Sequence, residues 1–204
     1  MFIKHHSINQ KKLMRGFKIT LTGLSASLLL AFPVGAQTTN APTTIIENLE
    51  LQTGTIIVKG FSTVGTVSIG NAIITVRSKK SSDIGHGQKT EGIAVGFSNI
   101  GVGSPGNPIP KYFLVVDYDE LDSLSNGIDY LGKITYEATP LAGFEASYTT
   151  KSGLRVSAHS DRRQGGILKF IQLGDTPKIP LNSDQLLQLQ NLILQAKTSL
   201  DAIK

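Results

Sequence analysis

The sequence predicts an α+β protein built on a bent antiparallel sheet or a partly closed barrel. Three observations lead there. Short β-branched runs bounded by Gly and polar turns recur from residue 55 to 116 and from 144 to 173, one helical stripe occupies about 119–134, and a stronger one closes the chain at about 183–203. Strands in runs, with helices set apart from them, are the pattern of an α+β layer architecture.

The chain opens with a segment that belongs to export rather than to the fold. Residues 1–36 hold Lys4, Lys11, Lys12, Arg15 and Lys18 and no acidic residue, then an apolar stretch from Ile19 to Val34 that ends at Val34-Gly35-Ala36. A basic region, an apolar core and small residues before the cut are what a signal peptidase accepts, so cleavage is expected after Ala36. About 16 residues interspersed with Thr, Ser and Gly fall short of the ~20 that a spanning helix needs. The expected product is exported to the periplasm or the extracellular space, with no membrane span after cleavage. Removing those five basic residues from the 20 Lys and Arg leaves 15, equal to the 15 Asp and Glu, so the body is formally neutral and nucleic acid is not an expected partner. Cysteine is absent, which excludes disulfides, thiolate metal sites and a cysteine nucleophile.

Residues 37–44 are polar, contain Pro42 and read as a disordered leader, leaving 45–204 as a single domain. Strands are expected at Thr55–Lys59, Thr63–Ile69, Ala72–Arg77, Gly92–Phe97 and Tyr112–Val116. Ser78–Thr90, polar and Gly-bearing, reads as a long hairpin connection or flexible loop, and Ile100–Pro110, rich in Gly and Pro, as a second loop. Gly60–Gly70 echoes Gly96–Gly106, but two copies in a Gly- and Ser-rich chain do not make a repeat.

Phe144–Asp161 is the best-defined hairpin. Phe144, Ala146 and Tyr148 alternate with polar residues, as do Leu154, Val156 and Ala158 after Lys151-Ser152-Gly153. Only a three-residue loop ending in a left-handed Gly153 keeps the apolar residues on one face, and it pairs Thr150 with Leu154, Tyr148 with Val156 and Ala146 with Ala158. The same register sets Glu145 opposite His159 and Thr149 opposite Arg155 on the polar face. Gly166–Leu173 adds one more strand.

The helix at 119–134 carries Leu121, Leu124, Ile128, Leu131 and Ile134 on one stripe, with Asp119, Glu120 and Asp122 in the first turn where the helix dipole favours negative charge. Gly127 and Gly132 weaken it by ~1 kcal/mol each relative to Ala, so it leans on packing. The C-terminal helix begins with Asn182 as cap and Gln185 in the capping-box position, and Leu186, Leu189, Ile193, Ala196, Leu200 and Ile203 form its stripe. Leu187, Leu192 and Leu194 widen the face, which favours docking on the sheet and a monomer over a coiled-coil oligomer. Strands followed by a terminal amphipathic helix allow a pleckstrin-homology-like arrangement as an analogy of fold alone.

Asp117-Tyr118-Asp119-Glu120-Leu121-Asp122-Ser123-Leu124, Gly127-Ile128-Asp129-Tyr130-Leu131, Phe144–Lys151, and Gln195-Ala196-Lys197 with Leu200–Lys204 together resemble a family of exported bacterial proteins of unknown function. The resemblance spans roughly half of the mature chain in one order. It implies a single exported α+β domain and supplies no activity, ligand or catalytic residue.

Four places in the sequence suggest chemistry, and each has a plainer reading. Gly101-Val102-Gly103-Ser104-Pro105-Gly106 spells G-x-G-x-x-G, but Asn107-Pro108-Ile109-Pro110 follows, and no helix can start there to meet a pyrophosphate. Asp117, Asp119, Glu120 and Asp122 could present hard oxygens to Ca²⁺ or another divalent ion; the competing reading is capping and dipole placement at a strand-to-helix junction. Ser157, His159 and Asp161 share a strand face with Arg155 and face Glu145, but residues two apart on a strand stand ~7 Å apart, too far for a Ser–His contact. That set reads as a polar surface face with a Glu–His or a Thr–Arg cross-strand pair. His86, between two glycines, reads as a mobile surface residue. Two function classes follow: a non-catalytic exported binding or interaction module for a protein or glycan ligand, and alternatively a carboxylate-based hydrolase, with or without a divalent ion.

Overall fold

The computed structural model describes residues 44–99, 112–161 and 165–203. The expected signal segment, the leader up to residue 43 and the glycine motif at 101–106 lie outside the described residues.

The elements run α1 (Ile45–Glu50), β1 (Ile57–Ile69), β2 (Ala72–Asp83), β3 (Lys89–Asn99), β4 (Tyr112–Asp117), a 3-10 turn (Tyr118–Glu120), α2 (Leu121–Lys133), a second 3-10 turn (Tyr136–Ala138), β5 (Gly143–Thr149), β6 (Leu154–Asp161), β7 (Ile167–Leu173), β8 (Ile179–Leu181) and α3 (Ser183–Asp201). The class is α+β as expected. The strands divide into two open, antiparallel four-stranded sheets, β1-β2-β3-β4 and β5-β6-β7-β8, each followed in sequence by a helix.

The helices cross over. Helix α2 leaves sheet 1 and packs on β5 and β6, α3 leaves sheet 2 and packs on β1, β2 and β3, and the two helices also pack on each other. One apolar core results, with Ile74, Val76 and Ile93 from sheet 1, Leu154, Val156 and Ile171 from sheet 2, Leu124 and Ile128 from α2, and Leu189 and Ile193 from α3. The stripe of α3 is spent on this core: Leu186, Leu189, Leu192, Ile193, Ala196 and Leu200 are buried, while Leu187 and Leu194 remain exposed and Ile203 lies beyond the helix. Among the described residues, no helix is long and apolar enough to cross a membrane.

The hairpin register follows the parity reading: Tyr148 pairs with Val156, Ala146 with Ala158, Glu145 with His159 and Thr149 with Arg155. Gly153 takes φ +87°, and Thr150 N–H donates to Leu154 O at 2.9 Å. The capping box of Asn182 and Gln185 forms at α3.

Sheet 1 differs from the sequence reading in three ways. The strands expected at Thr55–Lys59 and Thr63–Ile69 merge into one thirteen-residue strand that starts at Ile57, interrupted only by a bulge where the register steps between Thr63 and Gly65. Ser78–Thr90 is not a loop: β2 runs on to Asp83, β3 starts at Lys89, and only a tight turn separates them. The residues that suggested solvent (Ser78, Lys79, Ser81 and Asp83) are buried because distant segments give them partners: Glu50 of α1 for Lys79 and Ser81, the Ala196 carbonyl of α3 for Ser78, and Thr55 with the β2–β3 turn for Asp83. Helix α1 itself went unrecognised; at six residues it shows no period, and it is held by contacts far away in sequence. Its cap, Thr44, is fully buried and forms a capping box with Glu47, so the ordered domain includes the last residue assigned to the leader. Residues 60–69 of the first echo lie on β1; of the second, residues 96–99 lie on β3 and the rest fall outside the described residues.

Candidate functional site

Four places gather polar or titratable side chains. At the acidic junction, the two carboxylate oxygens of Asp117 accept the Ile45 and Ile46 N–H groups of α1 at 2.7 and 3.1 Å. Asp117 is 1 % exposed and lies at the end of β4, opposite Gly92. Gly92 is required there by close approach, since a Cβ would meet Val116 O at 2.2 Å and Ile46 Cδ1 at 2.7 Å. Glu120 Oε1 accepts the Lys151 N–H at 2.9 Å, and Lys151 Nζ lies 3.1 Å from Asp119 Oδ2 and 3.8 Å from Asp117 Oδ2. Hydrogen bonding to Asp119 holds the Lys151 ammonium above the usual lysine range; burial works against it, and the nearby charges of Asp119, Glu120 and Asp117 add to the rise.

Three of the four expected ligands, Asp117, Asp119 and Glu120, thus bring oxygens within 4.8 Å of one another. Asp122 does not join them and pairs with Lys197 at 2.7 Å. The capping role also fails, because neither the 3-10 turn nor α2 has a side-chain cap bond; the carboxylates serve α1 and the hairpin loop instead. The fit to a divalent ion is poor. Both Asp117 oxygens already accept amides, and the Lys151 ammonium supplies the positive charge that a hard cation would bring. At this junction, Glu120 Oε2 is buried without a hydrogen-bond partner among the described residues.

On the outer face of sheet 2, Glu145 Oε1 lies 3.3 Å from His159 Nε2 and 3.6 Å from Lys178 Nζ, and the His159 ring stands edge-on to Phe170. Lys178 Nζ is also 3.1 Å from His159 Nε2, so the imidazole is flanked by a cation and a carboxylate and not by a hydroxyl nucleophile. Arg155 is half-buried with its Nε unpartnered, and Ser157 is buried between Arg155 and His159. This is the polar strand face that the register implies, with the Glu–His pair formed.

The β2–β3 turn holds a set that sequence reasoning missed. The Asp83 carboxylate accepts the Thr55 hydroxyl, Gly85 N–H at 2.8 Å and His86 N–H at 3.2 Å, and meets His86 Nδ1 at 2.6 Å. The Thr55 bond holds the Asp83 carboxyl down at about 2, against the effect of burial and with help from His86 and Gly85. His86 is exposed but anchored, which corrects its reading as a mobile residue. The hydroxyl bonds the carboxylate and not the imidazole, so the trio lacks the nucleophile–base contact of a hydrolytic triad and acts as a turn clasp. Its signal in the sequence was Asp83 followed by Gly85 and His86, an Asx-type turn.

The fourth place is a groove of about 630 Å³ between β1 and α3, lined by Ser62, Thr63, Val64, Asn191, Leu194, Gln195, Thr198 and Ser199. It carries no ionisable side chain. Sequence reading could not find it, because its two walls lie more than a hundred residues apart and neither carries a motif. No protein-family model matches the chain, and neither a curated protein nor a solved structure is detectably similar to it.

Proposed function

We propose that the chain is an exported, non-catalytic binding module whose ligand occupies the groove between β1 and α3. The observation that carries this reading is the groove itself: it is open, lined by uncharged side chains of both polar and apolar kind, and it sits beside an edge strand. The carboxylates that a hydrolase would need are engaged in holding α1, the Lys151 loop and the Asp83 turn. The resemblance to exported bacterial proteins and the basic-then-apolar N-terminus support the compartment.

Two measurements test it. N-terminal sequencing of the protein recovered outside the cytoplasm is expected to begin at Gln37; recovery of the uncut chain from the cytoplasm would remove the export half. Screening the protein against a glycan array and a displayed peptide library is expected to yield one saturable ligand, lost when Ser199→Trp fills the groove. Turnover of ester, phosphoester or glycoside substrates, abolished by Asp119→Asn, with no saturable ligand in either screen, would replace the binding module by the carboxylate hydrolase.

A further inference from the structure

We infer that the groove takes an extended, uncharged segment of a partner protein, which pairs with β1 as an added strand. This rests on the reading of the chain as a binding module and names the class of its ligand.

Strand β1 is the outer strand of sheet 1. The two-residue turn Gly70-Asn71 makes Ile69 and Ala72 a hydrogen-bonded pair. Alternation along an antiparallel ladder then turns the backbone groups of Thr66 and Ser68 away from β2. Those outward carbonyls are met by α3: Gln188 Nε2 donates to Thr66 O at 3.1 Å, and Gln185 Nε2 to Ser68 O at 2.9 Å. Over this stretch, the helix stands in for the missing neighbour strand.

The bulge at Val64 changes the parity. From Thr63 backwards, the outward backbone groups are those of Thr63, Phe61, Lys59 and Ile57, and among the described residues nothing bonds them. The α3 stripe continues past Gln185 and Gln188 to Asn191 and Gln195, whose side-chain amides have no hydrogen-bond partner among the described residues. One half of the edge is therefore closed by glutamines; in the other half Thr63 lines the groove, facing Asn191 and Gln195, and Phe61, Lys59 and Ile57 continue the open edge beyond the groove.

The chemistry of the walls selects the occupant. Free backbone pairs repeat every second residue, ~6.8 Å apart, which is the spacing of another strand. No charge lines the groove, so a ligand segment there gains nothing from an ionised side chain and loses its hydration. Val64 and Leu194 offer one apolar contact for a side chain on the inward face of the added strand. No aromatic ring lines the groove as a platform for a sugar.

The test uses a phage-displayed random nonapeptide library selected on the full chain, followed by anisotropy titration of a labelled synthetic winner. Uncharged peptides are expected to enrich and to bind saturably. Thr63→Pro removes an outward N–H without touching the ladder to β2, and is expected to weaken binding tenfold or more. Asn191→Ala with Gln195→Ala, on the helix surface, is expected to weaken it about threefold. Independently of any variant's folding, N-methylation of the peptide at alternate positions is expected to abolish binding on one parity and spare it on the other. The inference is overturned if no peptide enriches, if affinity ignores both Thr63→Pro and N-methylation, or if the protein forms a dimer that Thr63→Pro dissolves, which would assign the edge to a second copy. A glycan that binds in the groove while no peptide does would also overturn it, yet leave the binding module standing.

Discussion

The two sheets use their outer faces differently. In sheet 2, β5 alternates strictly between half-buried and exposed residues, and its outer face carries Glu145, His159 and Lys178 in contact with water. In sheet 1, β2 is buried almost throughout, and its outer face holds Lys79, Ser81 and Asp83 under α1 and the segment before β1. Glu50 of α1 reaches Lys79 at 2.7 Å and Lys59 at 2.9 Å, and accepts Ser81 Oγ. Burial pushes the Glu50 carboxyl up, but the bonds from Lys79, Ser81 and Lys59 outweigh it and hold it below the ordinary range. The same kinds of residue are therefore surface in one sheet and interior in the other, and the difference is whether a helix supplies partners.

The sharpest way to break this contrast is Glu50→Ala. It leaves Lys79, a residue only 6 % exposed, without its carboxylate, and should cost about 3 kcal/mol in urea unfolding. Glu50→Met with Lys79→Met should recover most of that; a single variant that loses under 1 kcal/mol would show that the pair is hydrated and not interior. Next comes Gly92→Ala, whose Cβ collides with the Val116 carbonyl and Ile46, at a cost of about 2–3 kcal/mol with α1 displaced. Limited proteolysis near residue 50 should detect the displacement.

The third effect is one of pH. The Asp83 carboxyl sits at about 2 in the fold, against ~3.9 unfolded, so its stabilisation is complete above the unfolded value and disappears as pH falls from about 4 through about 2. Thermal melts of the protein should steepen over that window, and those of Asp83→Asn should be flatter; equal slopes would locate the acid sensitivity elsewhere. The smallest effect is expected on sheet 2. Glu145→Ala, at an exposed ion pair, should change stability by less than about 0.5 kcal/mol. A loss comparable to that of Glu50→Ala would erase the distinction between the faces.

These contrasts also mark what could be read in advance. The β5–β6 register, the two helical stripes and the α3 capping box were legible because each is local: parity, a 3.6-residue period and an Asn-x-x-Gln spacing need no knowledge of the rest of the chain. The continuation of β2 through Ser78–Asp83 was not, since polarity signals solvent only when nothing distant satisfies it. At the candidate sites, the cross-strand Glu145–His159 pair followed from register, whereas Lys151 closing the acidic group, Asp117 gripping α1 and the β1–α3 groove join residues about 30 to 130 positions apart.

By itself, then, the sequence determined the class, the mid-chain and C-terminal helices with their buried faces, and the pairing of β5 with β6, because short-range periodicity decides which side chains share a face. Only the tertiary structure decided that the strands form two sheets, that each helix covers the sheet it did not come from, and which polar groups are interior. Those outcomes depend on how apolar faces from distant segments meet, and on which buried donors and acceptors find partners when they do.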